Sequence, residues 1–180
     1  TFLATSDERQ SLYDEAARRI VEMATQEAPT LRQLITEKSL HNAMVLDMAI
    51  GGSTNTVLHI LALAHAAEVP FTMETIDAIS RITPNICRLA PSAGENGKMY
   101  HIEDCHAAGG MMTILGEILR GKPEILYSDC LTVTGDTLLQ SIQKHDIRQK
   151  GITIRTDGLS GHKRSQLSRA TSAAQPDGAI

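Results

Sequence analysis

The residues best suited to bind an anion follow a pair of adjacent glycines, Gly51 and Gly52, and are Ser53, Thr54 and Asn55. Apolar segments typical of helices lie on both sides of the pair. Glycine readily adopts positive φ at a helix C-terminus, and the hydroxyl of Ser53 or Thr54 can accept hydrogen bonds from first-turn amides of the next helix. The unpaired amides and positive macrodipole end of a helix attract carboxylates and phosphates. The pattern therefore indicates an enzyme that binds an anionic metabolite. The same residues would also suit a simple cap for a buried helix end, and both interpretations stay open.

A carboxylate lies where the pattern predicts burial. Asp47 shares an apolar helical stripe with Leu40, Met44 and Met48, directly before the glycine pair. A buried carboxylate requires a hydrogen-bonding or charged partner. Asp47 is therefore either an acid with a shifted pKa or a structural acceptor that bonds a neighbouring helix end, and we favour the structural role.

A second polar cluster consists of Glu103, Asp104 and His106 around Cys105. Its acidic residues suit the start of a helix that leads through the glycines at 109 and 110, so capping is favoured over catalysis. We interpret Asp47 and the three polar residues of this cluster as supporting a site rather than contacting a substrate.

The histidines and cysteines do not suggest a metal site. Six residues separate His59 from His65, which places them about 240° apart on a helix and on different faces. Cys87, Cys105 and Cys130 are widely spaced and form no CxxC pair, so neither a disulfide framework nor a zinc site is indicated. No nucleophile has a visible base. The sequence therefore predicts no metal ligand and no catalytic residue in this chain.

Capping boxes and apolar periodicity predict a mainly helical fold with a few short strands. The first predicted helix follows a capping box at residues 5–8 and ends before Pro29, and the second follows a box at 30–33. Two more helices are predicted over about 37–50 and 55–67, and another begins after Thr72 and stops at Pro84. The last two are predicted within 101–120 and over a segment that includes 138–142. Segment 55–67 is apolar nearly all round, so we expect it at the centre of the core. Residues 149–174 have the Gly, Ser, Arg and Thr content of a linker or insertion.

Composition limits the functional classes. The 180 residues carry a net charge of −4, with 3% aromatic residues and no Trp, which argues against a nucleic-acid-binding protein. No apolar run is long enough for a membrane span, and the N-terminus lacks a secretory signal pattern. We expect a cytoplasmic protein, or an organellar one in a eukaryote. Because the chain lacks an initiator Met, we also expect a portion of something longer.

One segment carries a family resemblance. Residues 42–59, Asn-Ala-Met-Val-Leu-Asp-Met-Ala-Ile-Gly-Gly-Ser-Thr-Asn-Thr-Val-Leu-His, resemble the family of dihydroxy-acid and 6-phosphogluconate dehydratases. Residues 1–6, 102–110 and 129–135 agree in order, so the resemblance covers residues 1 to about 148. The combination of EDCHAAGG, ILGEI and DCLTVTG favours the dihydroxy-acid branch. A sugar-acid dehydratase and a non-catalytic helical binding module remain the alternatives.

The resemblance implies a domain organisation. Residues 1–148 would form the late part of the family's N-terminal α/β domain, 149–174 the linker, and 175–180 the start of the C-terminal domain. The family enzyme removes water from a small 2,3-dihydroxy acid to give a 2-keto acid in branched-chain amino-acid biosynthesis, with an iron-sulfur cluster and Mg²⁺, as a homodimer. The family's metal ligands lie upstream of these motifs and its catalytic serine downstream. We therefore expect the isolated chain to be inactive and to bind no cofactor.

Overall fold

The computed structural model describes residues 7–26, 28–88, 92–93, 99–100 and 102–149, and this part of the chain is mainly helical. Residues 150–180, which hold nearly all of the predicted linker and the predicted start of the C-terminal domain, lie outside the described residues. The elements are α1 (Asp7–Thr25), α2 (Leu31–Leu34), α3 (Glu37–Ala49), α4 (Thr54–Ala67), α5 (Met73–Ile82), β1 (Ser92–Ala93), β2 (Met99–Tyr100), α6 (Ile102–Ala107), α7 (Gly110–Gly121), a 3-10 helix (Pro123–Ile125) and α8 (Leu138–His145). The strands pair antiparallel. The prediction of a mainly helical chain with a few short strands is confirmed.

Polar caps set the helix starts. The box predicted at residues 30–33 is present, because the Thr30 side chain accepts from the Gln33 amide at 3.3 Å and the Gln33 side chain accepts from the Thr30 amide at 2.7 Å. Thr72 caps α5, as predicted. The first predicted box includes residues outside the described part of the chain. Each cap satisfies amides that a helix N-terminus leaves without intrahelical partners.

The core is centred on α3. Met44 and Val45 have 0% exposed surface, and α3 packs against α4, α5 and α7. The core residues of the other elements include Ile60, Ile76, Ile79, Ile114, Leu115, Ile118 and Ile142. Because α3 is buried among these residues, its last residues are firmly held where they approach the glycine pair.

In the described residues, no helix is long and apolar enough to cross a membrane.

The expectation that residues 55–67 form the centre of the core is wrong. Only Ile60 and Ala64 of α4 are buried, whereas Leu58 is 66% exposed and Leu63 is 40% exposed. Apolar composition shows what a helix can bury, and the described elements cover α4 on one side only. Similarly, α1 is a helix as predicted, but its apolar residue Ile20 is 60% exposed.

Two reciprocal hydrogen bonds fasten the chain after the 3-10 helix to α3. The Asn42 side chain donates to the Tyr127 carbonyl at 2.8 Å and accepts from the Tyr127 amide at 2.9 Å, across 85 residues of sequence. Nearby, the ring Nε2 of His41 lies 3.0 Å from the Ile125 carbonyl oxygen. These contacts fix segment 125–127 against α3.

A buried carboxylate joins α7 to the end of α8. Asp146 has 0% exposed surface and accepts from the Arg120 guanidinium at 2.5 Å and from the Arg148 amide at 2.9 Å. Glu117 accepts from the side chains of both arginines. Gly116 leaves room for the carboxylate, because a Cβ there would lie 2.2 Å from an Asp146 oxygen. This ion-pair cluster therefore connects α7 to the chain that follows α8.

Candidate functional site

The turn between α3 and α4 has the geometry that the glycine pair predicts. Gly51 has a φ of +59° and donates to the Met48 carbonyl at 3.3 Å. Gly52 donates to the Asp47 carbonyl at 2.9 Å. A left-handed residue directly after a helix end is favourable for glycine, because glycine has no Cβ to clash with the backbone. The turn thus satisfies carbonyls of α3 and directs the chain into α4.

Ser53 caps α4. Its Oγ accepts from the Asn55 amide at 3.2 Å, and its carbonyl accepts from the Thr56 amide at 2.9 Å. Ser53, Thr54 and Asn55 are all exposed. A serine hydroxyl that accepts a hydrogen bond keeps its own hydrogen for donation to another acceptor. The first turn of α4 carries no acidic residue, so this helix end can offer an anion a hydroxyl donor and the positive end of the macrodipole.

Asp47 lies beneath the turn, and its partner is Thr56. The Thr56 side chain donates a hydrogen bond to the Asp47 carboxylate, and a Cβ on Gly52 would lie only 2.1 Å from Oδ1 of Asp47. Partial burial raises the pKa of Asp47, and the bond from Thr56 lowers that pKa in part. The predicted need for a partner is therefore met by a residue of the first turn of α4. Asp47 links the end of α3 to the start of α4.

The raised pKa of Asp47 makes a prediction for Asp47→Asn. A raised folded-state pKa means that the charged form costs stability above that pKa, and that the folded chain gains stability as pH falls through it. Asparagine keeps an oxygen that accepts from Thr56 but carries no charge. We expect Asp47→Asn to unfold at a higher urea concentration than the parent at pH 7.5, with the difference shrinking toward pH 4. A difference that grows as pH falls would contradict this.

The second predicted cluster lies on α6. Asp104 is half-buried and His106 is exposed, while the side chain of Glu103 lies outside the described part of the structure. The helix predicted within 101–120 is present as α7, but the expectation that it leads from the acidic residues through the two glycines is wrong: α6 ends at Ala107, Gly109 has a φ of +108°, and α7 begins at Gly110. The reason is that this left-handed backbone interrupts the helix. The acidic residues therefore belong to a short separate helix.

Burial disfavours the thiolate form of two cysteines, Cys87 and Cys105. Burial, with a smaller contribution from the nearby Cys105, raises the pKa of Cys87 to about 12. Burial also raises the pKa of Cys105. A high thiol pKa keeps the sulfur protonated near neutral pH, and the thiolate is the nucleophilic form. The effect of Cys105 on the pKa of Cys87 is consistent with α6 lying near residue 87.

Metal-ligating groups are dispersed in the residues that the structure describes. No cluster of three or more His, Cys, Asp or Glu side chains there could hold a metal ion. His59 and His65 are both exposed residues of α4.

Two residues at the turn, Thr56 and Asn85, could not be recognised from the sequence pattern. Asn85 directly follows Pro84, which marks a turn but does not indicate that Asn85 contacts α3.

Comparison with known proteins agrees with the motifs. A family model described as the N-terminal part of dihydroxy-acid and 6-phosphogluconate dehydratases matches residues 1–141. This chain belongs to that dehydratase family. A dihydroxy-acid dehydratase of Akkermansia muciniphila is 44% identical to it over 143 residues, which are 79% of this chain and 25% of the relative. The chain thus spans about one quarter of the length of this curated dehydratase.

The family match places the α3–α4 turn, α6 and α7 in a dehydratase N-terminal segment, as the sequence resemblance implies. The match ends within α8, at residue 141. The roles of Ser53, Thr54, Asn55 and Asp47 stay predictions, as do those of the three residues on α6.

Proposed function

We propose that this chain contributes part of the substrate pocket of a dehydratase that converts a 2,3-dihydroxy carboxylic acid to a 2-keto acid in branched-chain amino-acid biosynthesis. The observation that carries the proposal is the exposed N-terminus of α4, capped by Ser53, in a chain of the dehydratase family. The similarity to the dihydroxy-acid dehydratase of Akkermansia muciniphila supports the dihydroxy-acid class. The first turn of α4 contains no acidic residue of its own, which supports a carboxylate as the group bound there, on the exposed side of the turn away from Asp47.

In this proposal the substrate carboxylate lies against the first turn of α4. The Ser53 hydroxyl and the Thr54 amide donate to its oxygens, while Asn55 forms the rim of the pocket. Hydrogen bonds to a charged group contribute about 1.5–3 kcal/mol each, and the macrodipole adds about 0.3–1 kcal/mol. Asp47 orients the turn through Thr56 without contacting the substrate. Glu103, Asp104 and His106 of α6 support the wall of the pocket.

The described residues do not fit the cofactors that the family resemblance implies. An iron-sulfur cluster requires several Cys thiolates close together, and the free cysteines Cys87, Cys105 and Cys130 belong to no metal-binding cluster in the described residues. For Mg²⁺, the described residues likewise contain no cluster of three or more His, Cys, Asp or Glu side chains that could hold a metal ion. We therefore propose that other polypeptide of a cytoplasmic, homodimeric dehydratase holds both cofactors, and that the isolated 180 residues lack activity.

The test is the double variant Ser53→Ala/Thr54→Ala in a full-length dehydratase that carries this segment. Loss of a charge-assisted hydrogen bond to the substrate should raise KM by about tenfold or more while the melting temperature stays within about 2 °C. The matched control is Ser11→Ala/Thr25→Ala on α1, where both residues are exposed. Equal kinetics for the double variant, its control and the parent would reject the proposal.

A further inference from the structure

The chain that follows α5 crosses the C-terminal end of α3. We call residues 85–88 the strap. The amides of Ile86 and Cys87 both donate to the Ala49 carbonyl, at 2.8 and 3.1 Å. The Asn85 side-chain amide donates to the Met48 carbonyl at 3.3 Å. A helix leaves its last four carbonyls without intrahelical donors, so the strap supplies donors that α3 itself lacks.

The strap also lies directly against the α3–α4 turn. A Cβ on Gly51 would meet the Asn85 side-chain nitrogen and the Cys87 carbonyl oxygen at 3.5 Å each, and the Cα of Arg88 at 3.6 Å. On the next residue of the turn, Gly52 contacts Asp47. The turn is therefore packed against the strap at its first glycine and against an α3 side chain at its second.

Asn85 is chemically suited to hold this arrangement. Its side-chain nitrogen lies 3.3 Å from the Met48 carbonyl oxygen and 3.4 Å from the Cys87 carbonyl oxygen, and an amide has two N–H donors. One side chain thus joins the end of α3 to the strap itself. An aspartate of the same shape would carry no donor and would set a negative charge beside two carbonyl oxygens and the negative end of the α3 macrodipole.

We propose that Asn85 is a positioning residue for the α3–α4 turn, and that it sets the direction in which the start of α4 presents Ser53 and Thr54. The inference concerns a residue 37 positions from its α3 partner. It depends on the proposed function for its effect on substrate binding. Its effect on the turn itself is independent of any activity.

The first experiment measures amide hydrogen exchange at Gly51 and Gly52, whose hydrogen bonds close the turn. In the 180-residue chain, Asn85→Ala and Asn85→Asp should each speed exchange at these amides by about tenfold or more, with little change at Val45 in the core of α3. Asn85→Gln keeps the amide and should restore exchange to within about threefold of the parent. Gln143→Ala, which removes an exposed amide on α8, is the matched control and should change nothing.

The second experiment measures the kinetics of the same variants in a full-length dehydratase. Asn85→Ala should raise KM more than it lowers kcat, and Asn85→Gln should recover most of the loss. The inference is overturned if amide exchange at Gly51 and Gly52 is unchanged in Asn85→Ala. It is also overturned if Asn85→Ala leaves KM unchanged while Ser53→Ala/Thr54→Ala raises KM. If Ser53→Ala/Thr54→Ala leaves KM and kcat unchanged, the proposed function fails. Faster amide exchange in Asn85→Ala, restored by Asn85→Gln, would still support Asn85 as the residue that holds the turn.

Discussion

Replacing Asp146 by alanine is expected to destabilise the fold by about 1–3 kcal/mol, because the buried carboxylate is the acceptor for the Arg148 amide and for one Arg120 nitrogen, and the variant removes both hydrogen bonds. Asp146 has 0% exposed surface and accepts from the Arg120 guanidinium and the Arg148 amide. Its loss also leaves a void beneath Gly116, where the carboxylate now packs. Urea unfolding followed by circular dichroism at pH 7 measures the change.

The matched control for this prediction is Asp129→Ala. Asp129 also pairs with a cation, Lys38 at 3.3 Å, but its side chain is 72% exposed. Exposed pairs contribute about 0–1 kcal/mol, so the control should lose less than about 1 kcal/mol. If the two alanine variants unfold at the same urea concentration, burial of the Asp146 cluster does not stabilise the contact between α7 and α8.

The variant Gly52→Ala is expected to lose about 2 kcal/mol of stability, within the usual range for overpacking. A Cβ at this position would lie 2.1 Å from Oδ1 and 2.7 Å from Cγ of Asp47, which is too close for any side-chain atom. The carboxylate must move, and its bond from Thr56 is then lost. The free energy of unfolding from urea titration is the measurement.

Two further variants isolate the cause. Gly121→Ala places a Cβ where nothing lies within 4 Å, at the end of α7, and should change stability by less than about 1 kcal/mol. Asp47→Ala should make the Gly52 substitution less costly, because the clashing atoms are then absent. Additive effects of the two substitutions would show that contact with Asp47 is not the source of the loss.

Local chemistry could be read from the sequence. The cap at Thr30, the cap at Thr72 and the glycine turn depend on residues a few positions apart, so short patterns are enough to predict them. Ser53 belongs to the same class, since its acceptor role involves the amide two residues later. The family motif lies on this locally determined turn.

Contacts between distant segments could not be read in this way. Asn85 meets the end of α3 across 37 residues, and nothing in the sequence near Pro84 indicates which helix it will contact. The exposure of Leu58 has the same origin, because α4's apolar content does not show which neighbours will cover it. A prediction of either feature requires the packing of the whole chain.

The paired hydrogen bonds between Asn42 and Tyr127 have a consequence for biosynthesis. They can form only after the ribosome has released a stretch of 85 further residues beyond Asn42. Until then the polar side chain of Asn42 lacks its native partner, and α3 also lacks its apolar neighbours from α7. Long-range closure of this kind is slow relative to helix formation. The segment from α3 to α5 therefore leaves the exit tunnel before its tertiary contacts are complete.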